Sequence, residues 1–126
     1  MILLGYTSPI YGENIMKLAI IGSRGLYIDD LSPYVPQNAT EIISGGAKGI
    51  DRCAEKYAEK NRLKLTVFWP DYKKYKRGAP LIRNQKIIET ADEVIAFWDG
   101  ESRGTKHVID LCRKINKKVS IYIIKK

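Results

Sequence analysis

Short apolar runs alternate along the chain with longer segments in which apolar residues recur every three or four positions. Runs at 17–21, 41–43, 64–68, 93–97 and 119–124 are rich in Ile and Val, which predicts five strands. Between them, Ile50, Cys53, Ala54, Tyr57 and Ala58 repeat at helical spacing, and so do Val108, Ile109, Cys112 and Ile115. These stripes predict helices from about Ile50 to Asn61 and over the segment that follows residue 105. A third helix is expected over 81–91, with Ile87 and Ile88 on one face. A short one is expected over about 28–34, its limits blurred by Pro33 and Pro36. Residues 69–80 read as a basic loop laced with aromatics.

Strands that alternate with helices at this spacing require crossover connections, hence a parallel sheet covered on both faces. The expected fold is a single Rossmann-like α/β domain of three layers. Its five-stranded, mainly parallel sheet has the order 3-2-1-4-5, with helices on both faces. In such sheets ligands lie beyond the carboxyl ends of the strands, where the strand order switches.

Three of the predicted strands run into glycine-bearing turns. The first is Gly22-Ser23-Arg24-Gly25 and the second Ser44-Gly45-Gly46-Ala47-Lys48-Gly49-Ile50-Asp51. The third is Trp98-Asp99-Gly100-Glu101-Ser102-Arg103-Gly104-Thr105. A strand that enters a helix through glycines lets the backbone approach a ligand, and the helix N-terminus turns its free N–H groups and positive dipole end toward an anion. One such turn is weak evidence, but three that follow strands 1, 2 and 4 converge on one crevice in the expected strand order. Gly22, Gly45, Gly46, Gly49, Gly100 and Gly104 are therefore candidates for backbone contact. Arg24, Lys48 and Arg83 are candidate phosphate clamps, since guanidinium suits paired oxygens and ammonium supplies a point charge.

The hydroxyls of Ser23, Ser44, Ser102 and Thr105 either touch the ligand or cap helices, and the sequence leaves both readings open. Asp51 leans toward capping its helix, with a hydrogen bond to a ribose or base as the alternative. Asn84 and Asp99 complete the candidate set. Trp69, Tyr72, Tyr75 and Trp98 could stack a base, and Trp98, at the end of strand four, is the best placed of them. Trp69 is read as a packing residue, and His107, the single histidine, as a bystander.

Charge adds one constraint. The 126 residues carry 22 Lys and Arg against 14 Asp and Glu, a net +8, which favours anionic partners. Cys53 and Cys112 fall on apolar helical faces and read as reduced core residues; a disulfide would need their helices to be adjacent. With two Cys, one His and no paired spacing, no metal site is expected. No stretch is apolar enough to span a membrane, and residues 1–15 lack the basic and apolar regions of a secretion signal. They read as an extension, either not native or poorly packed, ahead of a domain over 16–126. The expected compartment is the cytoplasm.

The motifs Ile20-Ile21-Gly22-Ser23-Arg24, 44–51, Arg83-Asn84-Gln85-Lys86-Ile87 and Ser102-Arg103-Gly104-Thr105 together resemble the SLOG superfamily. That Rossmann-like group holds the lonely-guy phosphoribohydrolases and the DNA-processing protein A family. Trp69, Asp71, Gly78 and Arg83-Asn84 look most like its YspA-type branch. The resemblance covers roughly 17–124 and implies a nucleotide or nucleotide-derived ligand, with no further cofactor required, and a homodimer. In lonely-guy enzymes the third turn carries a Glu three residues after its Gly-Thr, and that Glu serves cleavage of the base–ribose bond. Here Val108 stands at that position and offers no acid–base chemistry. DNA-processing protein A uses an Arg-Asn-Arg stretch on single-stranded DNA, whereas this chain has Arg83-Asn84-Gln85, one basic group short.

The expected function is recognition of a nucleotide-type ligand by a sensor or signalling component, with the catalytic residues unknown. A nucleotide hydrolase of phosphoribohydrolase or N-glycosidase type is the first alternative. A single-stranded nucleic-acid-binding module that uses the basic loop is the second.

Overall fold

The computed structural model describes residues 15–125. Most of the extension read over 1–15 therefore lies outside the described residues. The elements are β1 (Lys17–Gly22), β2 (Glu41–Ser44), α1 (Ile50–Lys60), β3 (Lys64–Val67), α2 (Tyr72–Tyr75), α3 (Ala79–Thr90), β4 (Glu93–Trp98), α4 (Arg103–Lys114) and β5 (Val119–Ile123). All four strand pairings are parallel and the order is β3-β2-β1-β4-β5, as the alternation of patterns predicts.

The central strands are apolar at successive positions because both faces of the sheet are covered. Leu18, Ile20, Ile42, Ile95 and Phe97 point to one side, where Ile50, Cys53, Ala54 and Ala58 of α1 pack on them. Ala19, Ile21, Ile43, Val94 and Ala96 point to the other, against Ile87 and Ile88 of α3 and Val108, Ile109 and Cys112 of α4. The period of two along each strand thus divides one apolar run between two cores. Cys53 and Cys112 are free and lie on opposite sides of the sheet, so the helices that carry them are not adjacent.

The helix expected over 28–34 is absent. That stretch forms turns, with the Tyr34 N–H donating to the Leu31 carbonyl at 2.9 Å and the Ala39 N–H to the Pro36 carbonyl at 3.1 Å. Pro33 and Pro36 remove two amide donors and bias the residues before them away from helical angles, so no second helical turn can follow. The segment still covers the sheet. Leu26 and Leu31 are buried, and Tyr34 meets Phe97 edge-on at 5.0 Å and Tyr122 at 4.9 Å between ring centres.

The loop read over 69–80 contains structure of its own. Asp71 caps α2, its carboxylate accepting the Lys74 N–H at 3.1 Å, and residues 76–78 form one 3-10 turn before α3. The cap provides the anchor that lets a four-residue helix form. Among the described residues no helix is long and apolar enough to cross a membrane.

Candidate functional site

A cleft of about 850 Å³ opens beyond the carboxyl ends of the strands. Gly22, Ser23 and Arg24 after β1 line it, with Gly45, Gly46, Ala47, Lys48 and Asp51 after β2. Asp99, Ser102, Gly104 and Thr105 after β4 close the other side, and Arg83 and Asn84 of α3 stand among them. All three glycine turns therefore face one space. Ser44, Gly49, Trp98 and Gly100 from the expected set do not form its walls.

The first turn is sealed to its neighbours. A Cβ on Gly22 would lie 2.5 Å from the Phe97 carbonyl oxygen and 2.6 Å from Ile50, so β1 can approach β4 and α1 only without a side chain there. Ser23 is 1% exposed; its Oγ accepts the Asp99 N–H at 3.2 Å and lies 3.4 Å from Thr105 Oγ1. The Ser23 hydroxyl thus ties the first turn to the third. Gly49 does the same for the second turn: at φ 72° its absent Cβ would sit 2.5 Å from the Arg24 carbonyl oxygen.

The second turn departs from the expected anion cradle. The Ala47 N–H donates to Asp51 Oδ2 at 3.1 Å, and the Gly45 N–H acts on the same carboxylate. The Gly46 N–H donates to Ser44 Oγ at 3.2 Å, while that hydroxyl donates to Glu55 at 3.0 Å. Three amides of the motif are thus held by its own side chains, and Asp51 serves as a resident anion. Asp51 is 5% exposed, and burial pushes its carboxyl up to about 6, against the lowering pull of the Ala47 N–H and of Arg83.

Arg83 is engaged in the same turn. One guanidinium nitrogen donates to the Gly45 carbonyl, and Nε donates to Asn84 Oδ1 at 2.8 Å. Because Asn84 Oδ1 accepts there, its Nδ2 is the donor toward His107 Nδ1 at 3.3 Å. Burial holds His107 below the usual imidazole range, which favours the neutral ring that can accept this bond. The histidine read as a bystander is the last link of a relay that joins the second turn to α3 and α4.

The third turn is built by Asp99 and Ser102. Asp99 Oδ1 accepts the N–H groups of Glu101 at 2.9 Å and Ser102 at 2.8 Å, and Ser102 Oγ caps α4 through the Thr105 N–H. Trp98 serves this turn rather than the cleft: its indole N–H donates to the Ser102 carbonyl at 3.0 Å and its ring packs on the α3–α4 core. Trp98 is therefore not positioned as the stacking residue expected from its place at a strand end. Gly104 faces open space, with nothing within 4 Å of where a Cβ would stand.

Residues 17–75 match the family model described as YspA, cpYpsA-related SLOG family. Over that stretch, a little under half of the chain, the protein is similar to the SLOG superfamily. No curated protein and no solved structure matches it significantly. The matched stretch carries the first two glycine turns and α2, while Arg83 and the third turn lie beyond it.

The cleft also holds residues that the sequence reading ranked behind Trp98 or did not single out. Trp69 and Tyr72, exposed at 66% and 59%, line it from the β3 side, and Arg103 lines it from the first turn of α4. Trp69 follows a strand just as the three glycine turns do; topology was the available signal, outweighed by the habit of reading a tryptophan as core. Val108 also lines the cleft and is 2% exposed, so the point three residues after Thr105 is an apolar surface. Among the described residues no group of three His, Cys, Asp or Glu side chains is placed to hold a metal.

Proposed function

We propose that this domain binds a nucleotide or nucleotide-derived ligand in the cleft, as the recognition part of a sensor or signalling component in the cytoplasm. One observation carries the reading. Arg24, Lys48, Arg83 and Arg103 come from four separate segments and line a single cleft at the switch between β1 and β4, beside the N-terminus of α4. Against the two carboxylates of Asp51 and Asp99 the four cations leave the cleft lining net positive, which suits an anionic guest at the switch point. The similarity of residues 17–75 to the SLOG family favours a nucleotide as that guest.

Thermal unfolding in the presence of nucleoside mono-, di- and triphosphates tests this. A ligand at 100 times its dissociation constant raises stability by about 2.7 kcal/mol. The reading fails if none of them at millimolar concentration moves the midpoint beyond the shift given by inorganic phosphate.

A hydrolase remains the second reading because Asp51, a cleft residue, carries a carboxyl raised to about 6, which is where a general acid or base is useful. Against it stand the hydrogen bonds that commit this carboxylate to Ala47 and Gly45. Release of free base or ribose phosphate from nucleotides, abolished by Asp51→Asn, would favour the enzyme.

A further inference from the structure

The cleft is asymmetric in its chemistry. On the β3 side its wall is aromatic, formed by Trp69 and Tyr72, and on the β4 side it is cationic and polar, with Arg103 and Gly104 in the first turn of α4. Resting on the reading of the cleft as a nucleotide site, we infer that the ligand lies across the strand ends in one direction, its base stacked on Trp69 and its phosphate over the β1 and β4 turns.

Three features make Trp69 a prepared platform. The Phe68 N–H donates to the Ser44 carbonyl at 2.9 Å, so the chain is still held to β2 when it reaches Trp69. Pro70 then fixes the next φ and keeps Trp69 extended, and Asp71 caps α2 behind it. The ring itself rests on Gly46: a Cβ there would lie 2.5 Å from two of its carbons, so only glycine at φ 75° admits it. A large aromatic surface is thereby anchored along one edge and left 66% exposed in the cleft wall.

Tyr72 widens the same wall and lies near enough to Arg83 to act on its charge. The opposite end takes the phosphate because Arg103 stands there in a first turn of α4 that holds no acidic residue, whereas α1 carries the buried Asp51 in its own. From β3 to β4 the order is β3-β2-β1-β4. Three spacings of about 4.8 Å put the two ends about 14 Å apart. A bare phosphate or sugar phosphate cannot reach both; a molecule with an aromatic ring at one end and an anion at the other can.

The test compares binding of the four common nucleoside 5′-monophosphates and diphosphates with that of ribose 5-phosphate, for the wild type, Trp69→Ala and Trp69→Phe. Stacking predicts that at least one nucleotide binds about 5- to 150-fold more tightly than ribose 5-phosphate. Trp69→Ala should remove most of that ratio while leaving ribose 5-phosphate binding unchanged, and Trp69→Phe should restore much of it. Nucleotide, but not ribose 5-phosphate, should also quench tryptophan emission, and the quench should vanish in Trp69→Phe, which leaves Trp98 as the remaining tryptophan.

If nucleotides and ribose 5-phosphate bind alike, or Trp69→Ala leaves their ratio intact, the stacking inference is wrong and the nucleotide reading stands. A Trp69→Ala protein of altered oligomeric mass and unaltered ratio would assign the wall to contact between copies instead. Failure of every probe to bind the wild type would remove the inference together with the reading beneath it.

Discussion

Replacing Asp51 with asparagine isolates the buried carboxylate from every other titrating group. In the folded protein Asp51 keeps its proton up to a pH of about 6, because burial outweighs the Ala47 and Gly45 N–H groups and Arg83, with Glu55 adding repulsion. In the unfolded chain it releases the proton near 3.8. Between those values the native state binds more protons, so stability falls as pH rises. The contribution is full below the unfolded value and gone once the pH passes the folded one. The two-unit gap corresponds to about 3 kcal/mol. The substituted amide keeps an oxygen for the Ala47 N–H and carries no titration. Urea unfolding of both proteins at steps from pH 4 to pH 7 gives two stability curves, and their difference cancels all other carboxylates. The difference should move by about 2.4 kcal/mol in favour of the Asp51→Asn variant over this range, the remainder falling below pH 4. A difference that stays flat, or that moves toward the wild type, refutes the view that desolvation dominates at Asp51 and would mean that its hydrogen bonds and Arg83 win.

Gly49→Ala should cost about 2 kcal/mol or more, since φ 72° is strained for alanine and the new Cβ meets the Arg24 backbone; loss of less than half of that in denaturant unfolding would refute the packing. Gly104→Ala, which meets open space, should leave stability within about 1 kcal/mol yet weaken any ligand-induced thermal shift. Arg83→Lys should lower stability by about 2 kcal/mol, because an ammonium cannot serve the Gly45 carbonyl and Asn84 together; unchanged unfolding would show those contacts to be idle. Both cysteines are buried and burial pushes the Cys112 thiol up to about 11, so a thiol reagent at pH 8 should label the protein only as fast as it unfolds.

The sheet order was legible because each central strand is apolar at successive positions, which a doubly covered parallel sheet requires. What periodicity misjudged was the cover between β1 and β2. Ile28, Leu31 and Tyr34 fall three apart, an interval that suits a helix, but Pro33 and Pro36 deny it the amides, and the same side chains reach the core from turns. The cleft residues were legible wherever a turn followed a strand, and misread wherever two roles compete for one residue type. Trp98 and Trp69 both end a β-strand run; only the tertiary partner, the Ser102 carbonyl for one and the bare Gly46 for the other, separates a buttress from an exposed wall. Hydrogen-bond direction is likewise invisible in a string of letters, so the second turn reads as a cradle whether its amides face a guest or Asp51.

That last ambiguity decides where an anion can go. In a glycine turn that enters a helix, the carboxylate best placed to take the turn's amides is one in the first turn of that helix, and Asp51 occupies that position in α1. Once it is buried and hydrogen-bonded, the turn's positive ends are spent within the fold, and a phosphate beside it would face a like charge as well. The absent side chains of Gly22, Gly45, Gly46 and Gly49 are accounted for by protein atoms at 3.0 Å or less, so these glycines serve packing between turns. Gly104 is different: its missing side chain leaves open space at the capped start of α4, beside Arg103 and in the same cleft as Arg24. The first turn of α4 carries Arg103 and no acidic residue, and the Asp99 carboxylate in the turn before it accepts the Glu101 and Ser102 N–H groups, whereas α1 has Asp51 in its own first turn. A guest carrying negative charge is therefore drawn toward α4, and the motif with the most glycines shapes the floor of the cleft.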